Sequence, residues 1–142
     1  MIAQTRRAAD IAIGEALPPL VRRFTQVDLV AYGAATWDWH RLHYDLAYAQ
    51  SKKLPGTLVD GQTFGALFAR AAQEWAGPRS FITRLSFKMR AMAFAGDTLT
   101  AVGEVTAIRE VEGANVVTLA QRLMNGERLA SDARTDIRLP RP

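Results

Sequence analysis

The chain contains no cysteine. Disulfide bonds, thiolate zinc sites and a thiol nucleophile are therefore excluded, in keeping with a reducing compartment. No apolar run approaches the roughly 20 residues that span a bilayer. Arg6 and Arg7 are followed by Asp10 and Glu15, charges that a secretory hydrophobic region would lack. A soluble cytoplasmic protein with no membrane partner is expected. Dense Lys/Arg clusters, zinc-finger spacing and aromatic–basic RNA motifs are also missing, so nucleic acid is not an expected partner. Internal repeats and low-complexity segments are absent as well.

What is present is 142 residues, 49% of them hydrophobic, with a net charge of +4. That length and composition suit one domain over residues 1–142 with a sizeable core. The modest, dispersed positive charge serves solubility. It also suits a phosphorylated small molecule such as coenzyme A.

Residues Met1–Leu20 end in Leu17-Pro18-Pro19-Leu20, an extended lead-in, and Val21–Phe24 can form a short strand. Thr25 and Asp28 have capping-box spacing, which starts a helix running to about Thr36. Trp37–Asp45 is too polar and aromatic for an ordinary core element. Leu46–Lys52 reads as a short helix stopped by Leu54-Pro55-Gly56. The longest helix is expected over Gly61–Ala76, with Asp60 as N-cap. Phe64, Leu67, Phe68, Ala71 and Trp75 form its apolar stripe. Gly65, Ala66, Ala69, Ala72 and Ala76 let it sit close to a sheet, and Gly65, Ala66 and Ala69 could instead leave room beside it. Gly77-Pro78 ends it.

The second half reads as antiparallel strands. In Phe81–Ala91 the odd positions Phe81, Leu85, Phe87 and Met89 are expected to be buried, and the even positions wet. Asp97–Arg109 and Asn115–Met124 follow. Asn125-Gly126 is a hairpin signal, because both residues tolerate positive φ. In Glu127–Leu139, Leu129, Ala133 and Ile137 are expected to face in. Arg128, Asp132, Arg134, Asp136 and Arg138 are expected to face out. The economical packing is an α+β fold, a curved antiparallel sheet wrapped around the long helix.

Asp38 precedes His43 by five residues, with Trp37, Trp39 and Tyr44 around the pair. A carboxylate and an imidazole at this spacing can share a water and divide acid/base work. The start of the long helix, at Gly61 and Gln62, offers free N–H groups and a positive dipole end to a developing oxyanion. Hydration of an α,β-unsaturated acyl group needs these parts together. The same residues also admit plainer roles, His43 and Asp38 as caps or backbone partners. Asp38, His40, His43 and Asp45 are metal-ligand types, but the chain has no further histidine to complete a zinc site; a carboxylate site stays formally open, and no metal is expected. No serine lies in a Gly-x-Ser-x-Gly context. Arg84, Lys88 and Arg90 line one strand face, either as a solvated surface or as contacts for phosphates.

These residues together resemble the MaoC-like hydratases and dehydratases of the hot-dog fold. That group includes (R)-specific enoyl-CoA hydratases and β-hydroxyacyl-thioester dehydratases. The resemblance rests on Asp38, His43 and Asp45, on Asp60-Gly61 where the family has His-Gly, and on Ala95-Gly96-Asp97-Thr98-Leu99 before a strand. It departs at His40-Arg41, where the family has Asn-Pro after its Asp. It implies that Asp38 and His43 activate water and that the Gly61 amide receives the thioester carbonyl. It also implies an acyl-CoA or acyl-carrier-protein substrate, no cofactor beyond coenzyme A, and a place in fatty acid metabolism. The implied assembly is a homodimer or larger homo-oligomer with sheets joined edge to edge, and an acyl tunnel near the interface. Two alternatives travel with it. One is a partner-dependent subunit of a heteromeric hydratase. The other is a thioesterase using Asp60.

Overall fold

The computed structural model describes residues 4–140; the first residues of the expected lead-in lie outside them. Residues 4–19 form a single 3₁₀ turn at Ala8–Asp10 and a bridge between Ala16 and Glu104. Strand β1 spans Leu20–Arg23. Helix α1 spans Gln26–Thr36 and carries the capping box: the Thr25 hydroxyl accepts the Asp28 N–H, and Asp28 accepts the Thr25 N–H. Helix α2 is short, Leu46–Ser51, and α3 is long, Gln62–Ala76. Strands β2 (Phe81–Met89), β3 (Thr98–Val111), β4 (Ala114–Asn125) and β5 (Arg128–Arg138) complete the chain. The five strands form one antiparallel sheet in the order β1-β3-β4-β5-β2.

The sheet wraps α3, whose stripe Phe64, Leu67, Phe68, Ala71 and Trp75 is buried. Each large member of that stripe contributes about 1.5–3 kcal/mol by leaving water. At Gly65 a Cβ would lie 2.7 Å from the Phe87 ring. The small residue therefore admits an aromatic ring from β2 and leaves no empty room there. Gln121 ties the sheet to the helix: its Nε2 donates to the Phe68 carbonyl at 3.1 Å, and its Oε1 accepts from the Thr135 hydroxyl at 2.6 Å.

Several strand expectations need correction. A register shift between Ile82 and Arg84 breaks the alternation of β2, because an extra residue reverses which face each neighbour occupies. Ile82 packs inward, whereas Phe81 is exposed beneath the Arg138 guanidinium. Met89 is exposed too. At the last hairpin only Gly126 has positive φ; Asn125 stays in the strand, opposite Arg128. The β3–β4 turn, at Glu112 and Gly113 with positive φ at both, carried no strong sequence signal. Asp136 is buried on the outer face, where Arg109 and Thr118 cover it. No helix of the described residues is long and apolar enough to cross a membrane.

Candidate active site

Helix α1 ends where Trp37 turns left-handed (φ 59°) and donates its N–H to the Gly33 carbonyl. The Asp38 N–H reaches the same carbonyl at 3.0 Å. A Cβ on Gly33 would lie 2.7 Å from the Asp38 carbonyl oxygen, so glycine is what lets the chain fold back this closely. The Asp38 side chain is thereby fixed beyond the helix end. Its Oδ1 accepts the His40 N–H at 3.1 Å, and its Oδ2 faces His43.

His43 closes a 3₁₀ turn over Arg41–His43. Its Nδ1 lies 2.7 Å from the Leu58 carbonyl oxygen. A carbonyl only accepts, so Nδ1 carries the hydrogen and Nε2 presents a lone pair. Nε2 stands 3.9 Å from Asp38 Oδ2. That gap is too long for a direct bond, but a water bonded to both at about 2.8 Å spans it with an angle of about 90° at its oxygen. The turn is clamped from two sides. Leu58 N–H donates to the Leu42 carbonyl, and Gln26 of α1 donates to the His43 carbonyl while accepting from the Thr57 hydroxyl. Gln26 and Leu58 are positioning residues that the sequence did not mark; a backbone carbonyl has no residue-type signature at all.

The other candidates fall into place less uniformly. Asp45 caps α2 through the Tyr48 N–H and pairs with Arg41. The Tyr48 N–H foremost, then Arg41, holds its carboxyl below the usual range. It takes no part in the cluster. His40 Nδ1 accepts the Leu42 N–H, so it is a turn residue. The metal-type group that does converge is Asp38, His43 and Asp60, with one ligand atom of each within 4.8 Å of the others. This donor set differs from the sequence-based one by losing His40 and Asp45 and gaining Asp60. Trp37, Trp39 and Tyr44 do not enclose the pair. They are exposed and stack edge to face on one another at 6.1 and 6.5 Å.

At the start of α3 the N-cap is Gly61 itself, and Asp60 Oδ1 accepts the Gln62 N–H at 2.8 Å. The Gln62 amide is therefore taken. The Gly61 N–H faces no acceptor among the described residues. Gly61 is helical, so its small size serves close approach instead of positive φ. A Cβ there would come within 2.3 Å of Met89 Sδ. Asp60 and Gly61 also line a cavity of about 800 Å³, walled by Val59, Phe64, Phe87, Met92 and Phe94. Of the three basic residues Arg84, Lys88 and Arg90, only Arg90, just after β2, reaches this cavity, paired with Asp132. Arg84 and Lys88 stand apart from it, exposed and opposite Asp136 and Asp132 of β5. Arg128, beside the last hairpin turn, joins Arg90 at the cavity.

Known proteins can be set beside this geometry. The chain is 31% identical over 123 residues to an (R)-specific enoyl-CoA hydratase of Aeromonas caviae, covering 85% of this chain and 90% of that protein. It is 30% identical over 98 residues to the 3-oxo-4,17-pregnadiene-20-carboxyl-CoA hydratase beta subunit of Mycobacterium tuberculosis, covering 69% and 76%. Its fold matches the solved structure of an (R)-hydratase from A. caviae involved in PHA biosynthesis with a TM-score of 0.85 at 30% identity, over 94% of this chain and 100% of that one. The profile of the MaoC like domain matches residues 9–126, and with that match the chain belongs to the MaoC-like domain family.

Proposed function

We propose that this chain is a hydro-lyase that adds water reversibly across the 2,3-double bond of an acyl thioester, the reverse being dehydration of a 3-hydroxyacyl thioester. The observation that carries the reading is the 3.9 Å separation of Asp38 Oδ2 and His43 Nε2, with the imidazole tautomer set by Leu58. The thioester oxygen takes the Gly61 N–H at the positive end of α3, which draws charge away from the β-carbon. Water held by Asp38 and His43 attacks that carbon. His43 Nε2 takes a proton from the water, Asp38 faces the resulting imidazolium, and the site gives one proton to the α-carbon in exchange, so that its own proton count is unchanged. Atoms balance as one water added.

The apolar cavity suits the acyl chain. Arg90 and Arg128 suit the phosphates of a coenzyme A or carrier-protein arm, and no cofactor beyond that arm is called for. A cytoplasmic setting belongs to the same reading. Among the described residues strand β2 pairs only with β5, and its other edge suits pairing with a second copy. Similarity to a protein named as a beta subunit favours one alternative, assembly with a different chain. The chain expressed alone, with its mass in solution measured, separates the two assemblies.

The test of activity is a panel of 2-enoyl-CoAs of differing length and branching, assayed with EDTA present. Loss of the conjugated-thioester absorbance is expected. Release of free thiol instead would move the chemistry to thioester hydrolysis. Activity that requires added divalent cation would make Asp38, His43 and Asp60 a metal centre.

A further inference from the structure

Asp60 occupies the position where the resemblance leads one to expect histidine, and its two oxygens do different things. Oδ1 caps the Gln62 N–H at 2.8 Å. Oδ2 is buried and has no hydrogen-bond partner among the described residues. A buried acceptor left unmatched keeps the full cost of its lost hydration, and more when charged, so this atom calls for a donor. Its surroundings leave a place for one. An Asp60 oxygen, an Asp38 oxygen and a ring nitrogen of His43 lie within 4.8 Å of one another. Three points no more than 4.8 Å apart share a centre within about 2.8 Å of each, which is the length of a hydrogen bond from water.

We propose that Asp60 is a third catalytic group, its free Oδ2 accepting from the water held between Asp38 and His43, so that the site carries one proton more than the pair alone would and delivers it to the α-carbon. The proton count follows from the water. A water molecule has two hydrogens, but an ionised Asp38, an ionised Asp60 and a neutral His43 Nε2 present three acceptors to it. One of the three must hold a proton for all contacts to be made. Hydration then proceeds with base and acid both in place: one group takes the proton of the attacking water, another gives its stored proton to the α-carbon, and the total is unchanged.

The titratable and charged groups facing this cluster come from each element around it. Tyr32 of α1 lies near Asp60, and burial first, then the Asp60 charge, push its hydroxyl upward. The ring of His40 stands edge to face with that of His43 at 6.1 Å. Arg90, after β2, lines the same cavity as Asp60.

This inference rests on the hydratase reading, and its test separates the two. Asp60→Asn keeps a capping oxygen for Gln62 but turns the Oδ2 position into a donor. Asp60→Ser keeps a capping oxygen and removes the second atom. In the full-length protein both should keep the native fold by circular dichroism. Both should lower kcat at least 30-fold on the best enoyl-CoA of the panel, with KM within about threefold. A crystal structure of the unmodified protein should show one water within hydrogen-bond distance of Asp38, His43 and Asp60 Oδ2. Either folded variant keeping kcat within threefold would overturn the assignment, as would a water touching only Asp38 and His43. An inactive unmodified protein whose crystals hold the three-contact water would instead end the hydratase reading and leave the geometry of the trio standing.

Discussion

Asp38→Asn isolates the charge of this carboxylate from its shape. The amide still accepts the His40 N–H through its oxygen, as Oδ1 does at 3.1 Å, so the turn after α1 keeps its geometry. What disappears is the negative charge 3.9 Å from His43 Nε2. When His43 takes the proton of water, the resulting imidazolium faces that charge. At about 4 Å and an effective dielectric near 20, the attraction is about 4 kcal/mol. Asp38 is 34% exposed, so solvent removes part of this. About 3–4 kcal/mol remains, which is a loss of roughly 10²–10³ in kcat and within the range for general acid–base catalysis. KM should stay within about threefold, because Asp38 does not line the cavity. The assay is the initial rate of absorbance loss on an enoyl-CoA, with a thermal melt run in parallel. A variant retaining more than a tenth of native kcat would refute the reasoning. So would a large fall in melting temperature, since it would show Asp38 to be structural.

Gly61→Ala should push the Met89 thioether aside, since a Cβ would come within 2.3 Å of Sδ; activity on long acyl chains should fall more than on short ones, and adding Met89→Ala should recover most of it. Gln121→Ala strips partners from the Thr135 hydroxyl and the Phe68 carbonyl inside the core. It should cost about 3 kcal/mol and lower Tm by about 6–12 °C at this chain length, with activity at low temperature retained. Asp136→Asn tests a charge on the far side of the sheet. Burial raises that carboxyl, but the hydrogen bonds from Arg109 and Thr118 outweigh it and hold it below the ordinary value. A depressed folded value stabilises above the unfolded one and is lost as pH falls. The variant should therefore melt lower than native at pH 7, and the two curves should converge as pH drops below about 3.9.

Much of the architecture was legible from local pattern. The capping box at Thr25 and Asp28, the stripe on α3 and the alternation in the later strands depend on neighbours within a few residues, and the local physics is decided there. The Asp38–His43 pair was legible for the same reason, because both residues lie in one short segment between α1 and α2.

Other features depend on contacts between distant segments, and only the tertiary structure decided them. The extra residue in β2 that turns Phe81 outward reflects how that edge strand pairs with β5. The Gln62 amide, read as an oxyanion donor, is occupied by Asp60. The aromatics read as a shell around the pair stack on each other in solvent instead. Most of all, Asp60 joins Asp38 and His43 because the segment before α3 is stitched to both the Arg41–His43 turn and the loop after β2. Sequence spacing carries period and capping, but it holds no record of which groups meet across a gap of seventeen or more residues; packing alone brings an oxygen of Asp38, an oxygen of Asp60 and a ring nitrogen of His43 within 4.8 Å of one another.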